Sequence, residues 1–166
     1  MASAGEYSIE VDLEEQRAYL LFHHRMVMES PICSGRTQYP TPTGTFQVLE
    51  KDALHRSSFY GKMVDAAGRT VLADADADMP VPPGMRFVNA PMPYFMRFTN
   101  GVGLHEGYLP GYPASHGCVR MPKEQAIAFY NAVEIGTPVT VFGHAPSRIL
   151  TSRPLTQPRL LPFFRN

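Results

Sequence analysis

The sequence predicts a single, mainly β domain, and three observations carry that expectation. Sixteen prolines and thirteen glycines among 166 residues call for many turns and short strands. Tyr7, Ile9 and Val11 alternate with Ser8, Glu10 and Asp12, the period-2 mark of a half-buried strand. A helical pattern occurs in only one place, after Pro122. The length suits one domain with a real core and one active site.

Taken in order, the turn at 12–16 leads into RAYLLF at 17–22, and a second apolar stretch follows at 26–33. Between them, His23, His24 and Arg25 suit the turn of an antiparallel meander, with the two histidines as exposed turn residues lacking a third metal ligand nearby. Cys33 reads as a small buried residue closing a strand, and with Cys118 as one of two free thiols, since a single pair is too few for a disulfide framework. Pro40 and Pro42 hold an extended loop, and Gly44 turns the chain into a strand at 46–49. Residues 50–100 are the least regular. Asp74, Asp76 and Asp78 alternate as in a calcium loop, but Met79 and Met85 stand where such a loop needs Gly and a bidentate Glu, so a solvated acidic loop is expected. Tyr94 and Phe95 are candidate walls of a substrate groove. A short strand at 101–105 delivers His105, and a helix opens at Pro122 with Ala126, Tyr130 and Val133 on its buried face and Gly136 to stop it. TPVTVF at 137–142 is the last strand, and residues 144–166 form a proline-rich tail.

Fifteen basic and fifteen acidic side chains balance, which argues against nucleic acid as a partner. No apolar run approaches the roughly 20 residues that span a bilayer, and 1–6 has no apolar signal core.

The chemistry concentrates in LHEGYLPGYPASHGCVRMP at 104–122. Cys118 is the candidate nucleophile, because a thiolate beside a histidine is the minimum kit for thiol catalysis; a buried inert thiol is the bland reading. A helix starting just after it would offer backbone N–H groups and a positive dipole end that lower the thiol pKa. Spacing leaves the base open: His116 lies two residues before Cys118, and a Gly- and Pro-rich loop can fold His105 back onto it. A zinc site from His105, His116 and Cys118 lacks a fourth ligand, so no metal or cofactor is expected. Arg120 suits a carboxylate, a brace or the surface.

SHGCVRM at 115–121, with the strand-end histidine of LHEG, resembles the YkuD-type L,D-transpeptidases, bacterial enzymes that cross-link peptidoglycan. IEVDLEEQRAYLL (9–21), SGRTQYPTPTGTF (34–46) and GTPVTVFG (136–143) extend the likeness in order, placing a catalytic domain at 7–143. The resemblance implies a β-sandwich or barrel-like fold with a short helix after the cysteine. It implies that Cys118 attacks the third residue of a donor stem peptide and expels D-alanine, and that an amine of an acceptor stem resolves the thioester. It makes His105 the base, oriented by the Glu106 carbonyl, and His116 a supporting residue. Ser115, Gly117 and Arg120 then shape the nucleophile loop, with N–H groups near Gly117 and Cys118 as oxyanion donors. It also implies work outside the cytoplasmic membrane, in the periplasm or cell wall, with a signal or anchor not present in this sequence. Two departures stand out: the His105–Cys118 gap is short, and Met121-Pro122 stands where some members carry asparagine. A carboxypeptidase that uses water, and a non-catalytic wall-binding module, are the alternatives.

Overall fold

The computed structural model describes residues 6–147, with twelve strands and one helix. The proline-rich tail lies outside the described residues from residue 148 onward. The expected meander forms as β1 (Tyr7–Asp12), β2 (Arg17–Phe22) and β3 (Arg25–Pro31). His23 and His24 make its hairpin turn, both at positive φ (49° and 64°), the geometry that matches the twist of paired strands. Next come β4 (Gly44–Gln47), β5 (Glu50–Asp52), β6 (Arg56–Val64), β7 (Thr70–Asp76), β8 (Arg86–Pro91) and β9 (Phe95–Thr99). The chain closes with β10 (Val102–Glu106), β11 (Val119–Met121), α1 (Lys123–Ala132) and β12 (Pro138–Phe142).

These strands form three open sheets, ordered β3-β2-β1-β12-β4, β11-β10-β9-β5 and β7-β6-β8. The mainly β expectation holds; none of the sheets closes into a barrel. The first sheet joins the two ends of the domain, because β12 runs parallel to β1 with Ile9 opposite Val139 and Val11 opposite Val141. Those residues, with Ala18 and Leu20 of β2, meet Met96, Phe98, Leu104, Val119 and Met121 of the second sheet in one core.

The region from 50 to 100, irregular in sequence, contains five strands. Register shifts in β6 obscure their alternation, and Asp74 and Asp76 belong to β7, not to a solvated loop. The buried Met63, Val64 and Ala75 of the β7-β6-β8 sheet lie apart from the main core, so this sheet is a separate leaf.

The helix also needs a correction. Pro122 is its N-cap and Glu124 lies in its first turn, as expected, but its buried residues are Ala126 and Phe129, followed by Val133 at the C-cap. Tyr130 is only partly buried and meets Tyr94 edge-on at 5.6 Å. The strand β11 separates Cys118 from the helix, so the thiol is not at a helix N-terminus.

On the other face of β1 from Ile9 and Val11, Glu10 is buried opposite Tyr19 and Thr140. Its Oε2 has no hydrogen-bond partner among the described residues, and burial pushes the carboxyl up to about 7. The folded chain thus holds this proton more tightly than the unfolded one, so stability is full below the ordinary value of 4.5 and declines as pH rises toward about 7. Glu10→Gln should therefore match the wild type in urea denaturation near pH 5 and exceed it near pH 8. A stability difference independent of pH would contradict this account.

Candidate active site

The site is built on the parallel pairing of β10 with β11, in which Leu104 faces Val119 and His105 faces Arg120. Partnered residues in a parallel ladder point to the same side, and successive residues alternate. Leu104, Val119 and Met121 are fully buried in the core, so His105 and Arg120 project from the opposite face. Cys118, two residues before Arg120, shares that face. All three line one cavity of about 580 Å³.

The imidazole of His105 is buried, and its Nδ1 lies 2.6 Å from the Glu106 carbonyl oxygen. A carbonyl can only accept, so Nδ1 carries the proton and Nε2 keeps its lone pair. Burial first, opposed by that hydrogen bond, lowers the imidazole pKa to about 4, and His105 is neutral at neutral pH.

Burial pushes the Cys118 thiol up, against the Gly103 N–H and the Arg120 guanidinium, which favour the thiolate. The expectation of a thiol acidified by a helix dipole is thus reversed, because the helix begins after β11. The sulfur donates to the Gly101 carbonyl at 3.5 Å, so the thiol and His105 share a cavity as a neutral pair at rest. Gly103 has no room for a side chain: a Cβ there would collide with the Met96 carbonyl and lie 2.7 Å from the Phe95 ring.

The loop before Cys118 is held by a polar relay absent from the sequence-based reading. Gln16, buried, binds Ser34 through Nε2 to Oγ (2.8 Å) and through Oε1 from the Ser34 N–H (3.1 Å). Ser34 accepts the Ser115 N–H, and the Arg36 N–H donates to the Ser115 carbonyl. Thr41 Oγ1 accepts from the Gly35 N–H (2.9 Å) and donates to the Gly117 carbonyl (2.7 Å). The Ser115 hydroxyl donates to the Cys118 carbonyl and accepts the Gly117 N–H at 3.1 Å. That last bond removes the Gly117 N–H from the expected oxyanion donors. Gly117 sits at φ +125°, a conformation side chains resist. The SGRTQYPTPTG segment is therefore a strut under the loop that carries Cys118; its density of Ser, Thr, Gly and Pro marks a rigid polar loop in the sequence without saying what it braces.

His116 lines the same cavity, but its ring is engaged by other partners. Its ring stacks on Tyr60 (4.0 Å between centroids, 13°), and its Nε2 lies 3.1 Å from Arg36 Nη2 and 3.3 Å from Asp74 Oδ1. One Nε2 cannot accept from the arginine and donate to the aspartate at once, so the tautomer selects one partner. The histidines and thiol weighed as a zinc site do not converge; among the described residues the side chains whose ligand atoms do are Glu50, Asp52 and His55. Arg97 already pairs with Glu50 at 3.5 Å and Asp52 with His55 at 3.4 Å.

Arg120 donates to the Tyr108 carbonyl at 3.3 Å and has no carboxylate partner among the described residues. Phe95 is a cavity wall, stacked on His55 at 4.1 Å. Tyr94 is not; at φ 58° it turns toward Tyr130 on the helix.

A family model described as the L,D-transpeptidase catalytic domain, YkuD, matches residues 6–141. A curated protein of Mycobacterium tuberculosis (strain ATCC 25618 / H37Rv), "Probable L,D-transpeptidase 3", is 33% identical over 132 residues, covering 72% of this chain and 42% of that protein. The chain thus spans less than half the length of that relative. An L,D-transpeptidase from Stackebrandtia nassauensis shares the fold with a TM-score of 0.64 at 20% identity, over 89% of this chain and 60% of that one. The catalytic domain of the E. faecium L,D-transpeptidase aligns with a TM-score of 0.59 at 28% identity, over 82% of this chain and 96% of that one.

Gly35→Ala tests the strut, because a Cβ there would strike the Tyr39 carbonyl and lie 2.9 Å from the Thr41 nitrogen and 3.0 Å from the Gly117 Cα. Urea denaturation should show a loss of about 1–3 kcal/mol, the usual range for overpacking. Unchanged stability would mean that the two loops do not press together.

Proposed function

Because the chain belongs to the YkuD family of L,D-transpeptidase catalytic domains, we propose that it forms peptidoglycan cross-links through a thioester on Cys118. The observation that carries this reading is the placement of Cys118, His105 with its unprotonated Nε2, and Arg120 on one face of a parallel strand pair lining one cavity.

In the first step the thiol proton passes to His105 Nε2 as sulfur attacks the carbonyl carbon of the third residue of a donor stem peptide. The pair is neutral at rest, so proton transfer accompanies attack. The Gly103 N–H and Arg120 offset the charge left near sulfur. The Cys118 N–H is the donor assigned to the oxyanion, since the Gly117 N–H is engaged by Ser115. As the tetrahedral intermediate collapses, the His105 imidazolium returns the proton to the nitrogen of the departing D-alanine. An acceptor amine then attacks the thioester carbonyl, gives its proton to Nε2, and the thiol is restored as the cross-link forms.

The Glu106 carbonyl keeps the imidazole in the tautomer this cycle needs. The Arg120 guanidinium, which meets no carboxylate among the described residues, suits a stem-peptide carboxylate, and Phe95 contributes apolar wall. His116 supports the loop. The reading places the protein outside the cytoplasmic membrane, where its substrate lies; among the described residues no helix is long and apolar enough to cross a membrane.

Incubating the purified protein with a disaccharide-tetrapeptide and weighing the products tests the proposal. Dimers lacking one D-alanine support transfer, tripeptide alone points to a carboxypeptidase, and unchanged substrate rejects both. Cys118→Ala should abolish turnover and the covalent mass adduct expected with a carbapenem; reversible carbapenem binding that survives this change favours a wall-binding module. His105→Ala should slow acylation about 10²–10⁴-fold. The base must be neutral to act, so the acid limb of the rate should lie near the folded His105 value of about 4, well below the ordinary 6.5. An acid limb near 6.5 would argue against His105 as the base.

A further inference from the structure

Asp74 belongs to β7, in the leaf whose buried residues, among the described residues, lie outside the main core. Its side chain nevertheless reaches the nucleophile loop. Oδ2 pairs with Arg36 Nη2 at 2.9 Å, and Oδ1 lies 3.3 Å from His116 Nε2. Arg36 in turn grips the Ser115 carbonyl twice, through its backbone N–H at 3.0 Å and its Nε at 3.3 Å. It is thus a short cationic bridge from the leaf to the residue three before Cys118. Among the described residues Asp74 is the carboxylate that Arg36 meets.

The second tie runs alongside. Tyr60 of β6 stacks on His116, and Tyr39 closes on the same ring at 4.9 Å. Phe59 and Tyr60 of that strand also line the cavity that holds the thiol. One side chain therefore stands between a cavity wall and the loop that carries the sulfur. Asparagine in its place would keep the shape but lose the charge that engages the guanidinium.

We propose that Asp74 is a positioning residue for Cys118: through Arg36 and His116 it docks the β7-β6-β8 leaf on the nucleophile loop, fixing the cavity wall and the thiol relative to each other. This rests on the reading of Cys118 as the nucleophile. Asp74 touches no reacting atom, and its effect is felt in the rate of attack more than in substrate affinity.

The test compares the full chain with its Asp74→Asn, Asp74→Glu and Asp78→Asn variants. Three quantities are followed: acylation of Cys118 by a carbapenem, read by intact mass against time; kcat and KM on the disaccharide-tetrapeptide; and the titration of the His116 ring protons by NMR. Asp74→Asn should lower kcat and the acylation rate on the order of tenfold, short of the ~10²-fold cost of a 1 Å misplacement, with KM unchanged. Asp74→Glu should recover most of the loss, and Asp78→Asn, on an exposed residue beyond β7, should behave as wild type. His116 faces Asp74 and Asp76, which favour its cation, and Arg36 and Arg120, which oppose it. Removing the Asp74 charge should therefore move the His116 midpoint to lower pH, and Asp74→Glu should move it back.

Wild-type acylation in Asp74→Asn, an unshifted His116 titration, or a change in KM alone each overturns the proposal. Wild-type protein that neither acylates nor turns over overturns the nucleophile reading and the proposal together. In that case the His116 titration still reports whether the Asp74 contact exists.

Discussion

The register of β10 against β11 is the constraint on which the site depends. It turns an alternation of side chains into a division of labour: Leu104, Val119 and Met121 go to the core, while His105 and Arg120 go to the cavity. A slip of β11 by one residue would bury the Arg120 guanidinium and turn Val119 and Met121 out of the core, so the hydrophobic core itself enforces the placement of the polar groups. Gly103 belongs to the same constraint. Its N–H faces the sulfur only because no Cβ separates β10 from Met96 and Phe95 behind it.

A second layer of order lies in the loop before the cysteine. Ser115, Gly117 and Cys118 are not in regular secondary structure, yet the Ser115 hydroxyl, Thr41 and Ser34 engage the Ser115 N–H, both backbone groups of Gly117 and the Cys118 carbonyl. Buried polar groups without partners are costly, so these pairings leave the loop few alternative conformations. Gln16 extends this relay to the first hairpin, at φ 52° and almost fully buried. The apolar core sets where the strands lie, and the polar relay sets where the sulfur lies.

The electrostatics follow from the same burial. Desolvation raises the thiol and lowers the imidazole, two shifts that both favour the uncharged pair. On the proposed reading of Cys118 as the nucleophile, such a site keeps the thiol protonated until a substrate carbonyl arrives, with the Gly103 N–H and Arg120 placed to support charge as it develops. The Glu106 carbonyl orients the His105 imidazole without adding a full negative charge beside it.

Local patterns were legible where neighbours in sequence are neighbours in space. The hairpin through His23 and His24, the helix start at Pro122 and the final strand near 138–142 were all readable from alternation, turn residues and capping. The strands between 50 and 100 were not, because bulges in β6 break the period and their partners are supplied from a distance. Phe129 displaced Tyr130 from the helix core for a related reason: the orientation of a short helix is set by what packs on it, here two sheets. By itself the sequence determined the mainly β class, the cysteine and histidines proposed to carry the chemistry, and the family they resemble, since each rests on composition or on a contiguous motif. Tertiary structure alone decided that β11 comes between Cys118 and the helix, that His105 shares the cavity face with the thiol while His116, also lining the cavity, is held by Asp74 and Tyr60, and that residues 34–41 brace the loop. Those facts depend on parallel pairings and side-chain contacts across tens of residues, and no local pattern encodes them.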